Sequence, residues 1–273
     1  MIVALTGATG FVGKQILREL LDRGCNVRAI VRDPEKLIEE SKSCLLDIVQ
    51  TSDLFEEHLD RLVQIISGAE ILIHAAWYTE PGKYLTSVRN IDCLKGTLNL
   101  ARAFADGGGK RLIGIGSCAE YDLSVGEVSI DTPLKPNTLY ATCKVAAYWI
   151  FKQLAMDRNI NYAWCRLFYL FGQGEDKRRL IPYLHTQLAA GEEVLLTHGE
   201  QVRDFLDVKE AARMIANLAL SDRQGVANIC SGKGVTIRQI ASSIADQYGR
   251  RDLLRFGARP ENPYDPPHVV GLK

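Results

Sequence analysis

The chain lacks the usual marks of a metalloprotein, a disulfide-stapled protein, a membrane protein or a nucleic-acid binder. Its seven cysteines stand singly, without a CxxC pair, and an odd number cannot close a complete disulfide framework. They read as small core residues. The five histidines show no HxxxH or HExxH spacing, the pattern that sets two ligands on one helix face, so no metal is expected. No apolar stretch approaches the roughly 20 residues of a membrane span. The opening MIVALTGATG runs directly into a strand and turn instead of a secretory leader, which predicts a cytoplasmic location. With 33 basic against 33 acidic side chains there is no net charge. Such a chain has no long-range field for nucleic acid or an anionic membrane, and an anionic partner must be small and held by local groups.

What is present is the material for a large core, 47% hydrophobic residues in a chain of 273. Short apolar runs alternate with amphipathic stretches. The runs at residues 2–5, 26–31, 44–46, 71–75, 111–115, 162–168 and 226–229 predict strands. Between the first two, Phe11, Val12, Ile16, Leu17, Leu20 and Leu21 recur at helical spacing. The pattern is that of an α/β protein, a doubly wound parallel sheet covered by helices on both faces.

Beyond Gly172 a polar stretch precedes a predicted helix at residues 180–188 and a short strand at 193–196. Two later helices carry start signals, Asp207 with Glu210 and Thr236 with Gln239, and Gly249 ends the second. Residues 1–172 are thus expected to form a dinucleotide-binding domain and 173–273 mainly a smaller C-terminal substrate lobe, with roughly 204–231 packing back on the sheet.

Thr6-Gly7-Ala8-Thr9-Gly10-Phe11-Val12-Gly13 lies between the first predicted strand and helix. Glycines at this spacing allow a tight turn and close approach of a pyrophosphate to backbone N–H groups at a helix N-terminus. This strand-turn-helix context makes the sheet a Rossmann type and assigns Gly7, Thr9, Gly10, Phe11, Val12 and Gly13 to a nicotinamide dinucleotide. At the end of the second strand, where an acidic residue would take the ribose hydroxyls of NAD, the chain has Val31-Arg32-Asp33. A guanidinium there suits a 2′-phosphate, so Arg32 predicts NADP in preference to NAD.

Tyr140 and Lys144 are four residues apart on one apolar helix that follows Pro133 and Pro136. A free phenol is a poor base, but an ammonium and a cationic nicotinamide both favour its phenolate. Ser117 ends the fifth predicted strand, at the sheet edge where such folds bind ligands, and can hydrogen-bond a reacting carbonyl. Taken singly, these residues would be two helix-surface groups and a serine in a turn. Together with the glycine turn they form a catalytic set of Ser117, Tyr140 and Lys144.

These segments resemble the extended short-chain dehydrogenase/reductases of the NAD-dependent epimerase/dehydratase family, which modify nucleotide sugars. The matching segments include TGATGFVG, Leu46-Asp47-Ile48, Ile73-His74-Ala75-Ala76, Pro133 to Lys144, Arg166-Leu167-Phe168 and Val202-Arg203-Asp204-Phe205, and they cover nearly the whole chain. The resemblance implies that Asp47 and Ile48 hold the adenine, that Ala75 and Ala76 line the cofactor and that Lys144 also grips the nicotinamide ribose. It further implies that Arg203 contacts the nucleotide of the substrate, with Arg259 a second group for the same anion. Without it, Arg203 beside Asp204 would be a surface ion pair.

Departures from the family pattern narrow the reaction. The Asp-Glu pair that sugar dehydratases use is replaced by Cys118 and Ala119, while Glu120, one residue later, should point away. Tyr169 replaces a sugar-contacting asparagine, and Cys93 a helix asparagine for which Asn90 is a possible substitute. Cys118 and Tyr169 are expected in the substrate pocket. The expected function is NADPH- or NADH-dependent reduction of a 4-keto deoxysugar nucleotide with Tyr140 as general acid. The alternatives are a 4-epimerase that retains NAD and a cofactor-binding sensor without turnover. The apolar helices at residues 94–104 and 140–154, which family members pair into a four-helix bundle, predict a homodimer.

Overall fold

A computed structural model of the chain describes residues 1–37, 45–261 and 265–273. In chain order the elements are β1 (Ile2–Thr6), α1 (Phe11–Asp22), β2 (Asn26–Val31), β3 (Asp47–Gln50), α2 (Leu59–Ile66), β4 (Ile71–His74), α3 (Arg89–Asp106), β5 (Arg111–Ser117), β6 (Glu127–Val128), α4 (Leu139–Asp157), β7 (Asn161–Leu167) and β8 (Tyr169–Phe171). They continue as α5 (Leu180–Ala190), β9 (Val194–Leu195), β10 (Val202–Asp207), α6 (Val208–Ala219), β11 (Gly225–Ile229), β12 (Gly234–Thr236), α7 (Ile237–Tyr248), β13 (Leu254–Arg255) and β14 (His268–Gly271).

Seven of these strands form one parallel sheet in the order β11-β7-β5-β4-β1-β2-β3. This is the Rossmann-like α/β architecture expected from the apolar runs. Period-two alternation sends Val3 and Leu5 to one face and Ala4 to the other. On the first face they meet Ile16, Leu17 and Leu20 of α1 and Ile215 and Ala216 of α6; on the second, Leu62 and Ile65 of α2, Leu100 and Phe104 of α3 and Phe151 of α4. Arg111, buried at the start of β5, donates to the carbonyls of Leu218 and Arg223 and so ties the C-terminal end of α6 to the sheet.

The third strand is displaced from its expected place. Residue 44 lies outside the described residues, Leu46 is exposed, and the strand is Asp47–Gln50. It occupies the sheet edge, where none of its four residues is fully buried. An edge strand needs no continuous apolar run, which is why hydrophobicity alone misplaced it.

Sheet order reverses around β1, whose last residue Thr6 stands opposite both Ile30 of β2 and His74 of β4. The chain parts there, leaving a crevice at the carboxyl ends of the strands. Over that crevice lies a second sheet, β12-β10-β14-β6 with β8 joined to β10. A separate apolar cluster joins Leu184 and Leu188 of α5 to Ala241 and Ile244 of α7. The capping signals take two forms. Thr236 and Gln239 make a reciprocal capping box, whereas Asp207 caps through the N–H of Lys209 and Glu210 pairs with Arg213 instead. No helix among the described residues is long and apolar enough to cross a membrane, and no group of three or more His, Cys, Asp or Glu among them could hold a metal ion.

Candidate active site

One continuous cleft of about 1230 Å³ runs along the strand ends. Its walls carry Gly7, Thr9, Gly10, Phe11, Val12, Gly13 and Arg32 at one end and Ala75, Ala76, Ser117, Tyr140 and Lys144 in the middle; Cys118, Tyr169, Arg203 and Arg259 also line it. Residues from both halves of the chain therefore meet in a single space.

At the glycine turn, Gly7 has a φ of +72°, and a β-carbon there would lie 2.7 Å from the Ala76 nitrogen. A β-carbon on Gly13 would lie 2.0 Å from the Gly7 carbonyl oxygen, so α1 can start this close to β1 only with glycine at that position. No side chain caps α1, which leaves its first N–H groups facing the crevice for an anion. Beneath the turn, His74 lies between the hydroxyls of Thr6 and Thr97, each 2.8 Å away. Burial first, and the nearby Lys144 ammonium second, push its imidazole down to about 3. It is a neutral bridge between β1, β4 and α3. The residues around the turn suit a dinucleotide on these grounds: free N–H groups at a helix start, and no side chain in the way.

Arg32 is exposed at the cleft, and its guanidinium makes no ion pair among the described residues. Asp33 is engaged elsewhere, accepting from the Glu35 N–H and pairing with Lys36. Asp47 and Ile48 do not reach the cleft. Asp47 begins β3, at the end of the strand away from the crevice, and binds Arg28 at 3.0 Å, while Ile48 packs on the apolar cluster of the α1 face. In their place the loop after β3 brings Thr51, Asp53 and Leu54 to the cleft, with Asp53 accepting from the Phe55 N–H at 3.0 Å. Their signal was the turn composition Thr51-Ser52-Asp53 at the strand's far end.

Tyr140 and Lys144 share the inner face of α4, whose start is capped by Thr138. Burial lifts the Tyr140 phenol well above its ordinary range; Tyr84 adds to this and the Ser117 hydroxyl opposes it. Lys144 donates to the Ile115 carbonyl at 2.7 Å, and its Nζ lies 3.7 Å from the centre of the Trp77 ring. Burial pulls its ammonium down to about 7 against the attraction of Glu120. Ser117 begins a short 3-10 turn in which its hydroxyl accepts from the Ala119 N–H and its own N–H donates to Glu120 at 2.8 Å.

Glu120 turns away from the cleft and is fully buried. It accepts from Trp164 Nε1 at 3.1 Å and from Arg166 Nε at 2.7 Å, and Arg166 is stacked between Tyr121 and Tyr148 at 4.3 and 4.8 Å. Asn90 is buried and fully engaged: its Oδ1 accepts from Trp77 Nε1 at 2.9 Å, and its Nδ2 donates to the carbonyls of Tyr84 and Ser87. Cys93 accepts from the Tyr78 N–H. Trp77 and Tyr84, whose ring meets Tyr140 edge-on at 4.8 Å, were not singled out by sequence, because aromatic residues near strand ends pass for core.

Arg203 and Asp204 are not a surface pair. Alternation along β10 places them on opposite sides of the strand. Asp204 is fully buried and accepts from the Ser231 N–H and hydroxyl, the Gly232 N–H and the Gly271 N–H. Arg203 is buried at the cleft with its guanidinium 5.2 Å from the Tyr169 ring. Its Nη1 donates to the Val202 carbonyl at 2.8 Å, while its Nη2 comes within 2.7 Å of Asp265 with no acceptor aligned with its N–H bonds among the described residues. At Nη2 charge attraction is present without a formed hydrogen bond, so donors remain there for a ligand. Cys118 is buried, which raises its thiol to about 12 and keeps it protonated. Arg259 is exposed, 4.7 Å from the Tyr183 ring.

A dinucleotide turn, a buried Tyr-Lys pair and an arginine-bearing far wall around one cleft define a class of enzyme, and similarity to known proteins agrees with it. Residues 3–230 match the model of the NAD dependent epimerase/dehydratase family, and the chain belongs to that family, within the extended short-chain dehydrogenase/reductases. It is 25% identical to the dTDP-6-deoxy-L-talose 4-dehydrogenase (NAD(+)) of Aggregatibacter actinomycetemcomitans, with 100% of both chains covered. It is also 25% identical to the CDP-abequose synthase of Salmonella typhimurium, over 94% of this chain and 84% of that one. Among solved structures it resembles the UDP-N-acetylglucosamine 4-epimerase of Methanobrevibacter ruminantium M1 in complex with UDP-N-acetylmuramic acid. That likeness has a TM-score of 0.86 and 26% identity and covers 98% of this chain and 88% of the other.

Proposed function

We propose that the protein reduces the 4-keto group of a deoxysugar nucleotide, using NADPH in preference to NADH. The carrying observation is that Ser117, Tyr140 and Lys144 line the same cleft as the glycine turn and Arg203. The bound dinucleotide supplies the hydride. Tyr140 gives its phenolic proton to the carbonyl oxygen as charge develops there, and the Ser117 hydroxyl hydrogen-bonds the same oxygen. Lys144 places a positive charge below the phenol, which favours the phenolate left behind. Arg203 holds the substrate pyrophosphate through its free donors, assisted by Arg259. Cys118, a neutral thiol, and Tyr169 line the sugar side, and Cys118 and Ala119 stand where elimination of water would require an acid-base pair.

Preference for NADPH rests on Arg32, which makes no ion pair among the described residues, and on Asp33 being held in its own turn at the end of β2. NAD remains the second reading for the cofactor, favoured by the name of the Aggregatibacter relative. A 4-epimerase is the second reading for the reaction, favoured by the Methanobrevibacter likeness.

One experiment separates these readings. The purified protein is offered dTDP-, CDP- and UDP-linked 4-keto sugars with NADPH or NADH, and the 4-hydroxy sugars with NAD⁺ or NADP⁺, following absorbance of the reduced nicotinamide and sugar configuration by NMR. A reductase consumes one reduced cofactor per product. Interconversion of C4 epimers without net consumption would replace the reductase reading with the epimerase one, and no turnover of any of them would sink both.

A further inference from the structure

Trp77 sits just past β4, on the cleft, and touches every part of the proton-transfer pair. Its ring centre is 3.7 Å from Lys144 Nζ and 6.4 Å from the Tyr140 ring, which it meets edge-on. The indole is not free to turn, because Nε1 donates to the buried Asn90, and Asn90 in turn holds the carbonyls of Tyr84 and Ser87. We infer that Trp77 is a positioning residue of the reaction, a fixed aromatic floor on which the Lys144 ammonium is held beside Tyr140. This rests on the reading of Tyr140 and Lys144 as the proton-transfer pair.

A cation over the face of an indole is attracted by the ring's negative potential, and more strongly where water is excluded. Lys144 has few other supports for its charge. Among the described residues it has one aligned acceptor, the Ile115 carbonyl. The groups facing it are Glu120 from the turn after β5, the thiols of Cys93 on α3 and Cys143 on its own helix, the phenol of Tyr140, and His74 on β4. Of these groups Glu120 is the one carboxylate, and it is already shared with Arg166, Trp164 and the Ser117 N–H. His74, held near 3, is uncharged. The indole face therefore carries a share of the stabilisation that keeps Lys144 charged while buried.

The sign follows. A face that favours the ammonium raises the pH at which it loses its proton; removing the face lowers that pH, and any step needing the ammonium loses its alkaline limb earlier. The test needs no substrate. Protein labelled with ¹³Cε-lysine is titrated by NMR, and the Lys144 signal is identified by its loss in Lys144→Met. In Trp77→Leu the Lys144 midpoint is expected to fall by about half a unit to one and a half units. Trp77→Phe, which keeps a ring but loses the Asn90 bond, is expected to fall by less. An unchanged midpoint in a folded variant overturns the inference. So does an upward shift, which would mean that water entering the vacated space outweighs the ring. Should Trp77→Leu fail to fold, Trp77→Phe decides alone, any downward shift supporting the inference. Failure of the parent reading is seen separately, as full turnover by Tyr140→Phe in a protein whose Lys144 titration still depends on Trp77.

Discussion

Replacing Arg166 with methionine would remove one half of a fully buried ion pair and keep roughly its apolar volume. Glu120 would be left with two neutral donors, Trp164 Nε1 and the Ser117 N–H, and no bonded counter-charge, the Lys144 ammonium acting on it only at longer range. Breaking a buried pair from one side costs about 3–5 kcal/mol, because the remaining charge is desolvated without compensation. Unfolding a chain of this length gains roughly 0.6 kcal/mol per kelvin of entropy at the midpoint, so the loss should appear as a fall in Tm of about 5–9 °C. Lost stacking against Tyr121 and Tyr148 falls within that range. Glu120→Gln in the same protein removes the stranded charge while keeping an acceptor for Ser117. The double variant should therefore be more stable than Arg166→Met alone by about 1–3 kcal/mol, measured by urea denaturation as a double-mutant cycle. A loss below about 1 kcal/mol for Arg166→Met, or a double variant no more stable than the single, would refute the reasoning that the buried Glu120 charge depends on Arg166.

Tyr140→Phe keeps the ring between Trp77 and Tyr84 but removes the transferable proton. Steady-state kcat should fall by roughly a hundredfold or more with sugar-nucleotide affinity close to wild type; Arg203→Ala should mainly raise KM, and normal substrate binding by that variant would count against a pyrophosphate at Arg203. Arg32→Ala should weaken NADPH by about 1.5–3 kcal/mol in calorimetry and leave NADH nearly unchanged, since only NADPH carries the 2′-phosphate; equal losses would make Arg32 a plain surface charge. Val88, Ile91, Trp149, Ile150 and Met156 on and beside α3 and α4 are all exposed, and a homodimer through these helices is expected in sedimentation; a strict monomer at micromolar concentration would refute it.

Legibility in the sequence followed physical dominance. Buried strands such as β1, β2 and β11 announced themselves as apolar runs, and the helix stop at Gly249 was legible because only its backbone conformation mattered. The glycine turn was readable for a similar reason, since Gly7 and Gly13 leave no room for a side chain. The polar edge strand β3 was not, and misplacing it carried the adenine-side carboxylate to Asp47 when the loop at the cleft holds Asp53. Asp204 looked like the partner of its neighbour because sequence shows adjacency and not the face of a strand. Trp77 was invisible for a deeper reason: its partner Lys144 lies far away in sequence, and nothing about an isolated tryptophan distinguishes a cation's floor from a core filler.

The place of β14 within the sheet over the cleft has a consequence for how the molecule comes into being on the ribosome. β14 lies between β10 and β6, and beyond it Leu272 accepts from Asn228, so Val202 and Arg203 of β10 lack their β14 partners until residues 268–271 have been made, although β8 already pairs with Phe205, Leu206 and Asp207. The seven-stranded sheet can pair all its strands as soon as β11 emerges. The sheet over the cleft cannot, and in the interval Val202 and Arg203 of β10 and the strand β6 lack their β14 partners, the kind of open edge that pairs with other chains. Pairing is thus staged, with the large parallel sheet complete first and the sheet over the cleft closed after it.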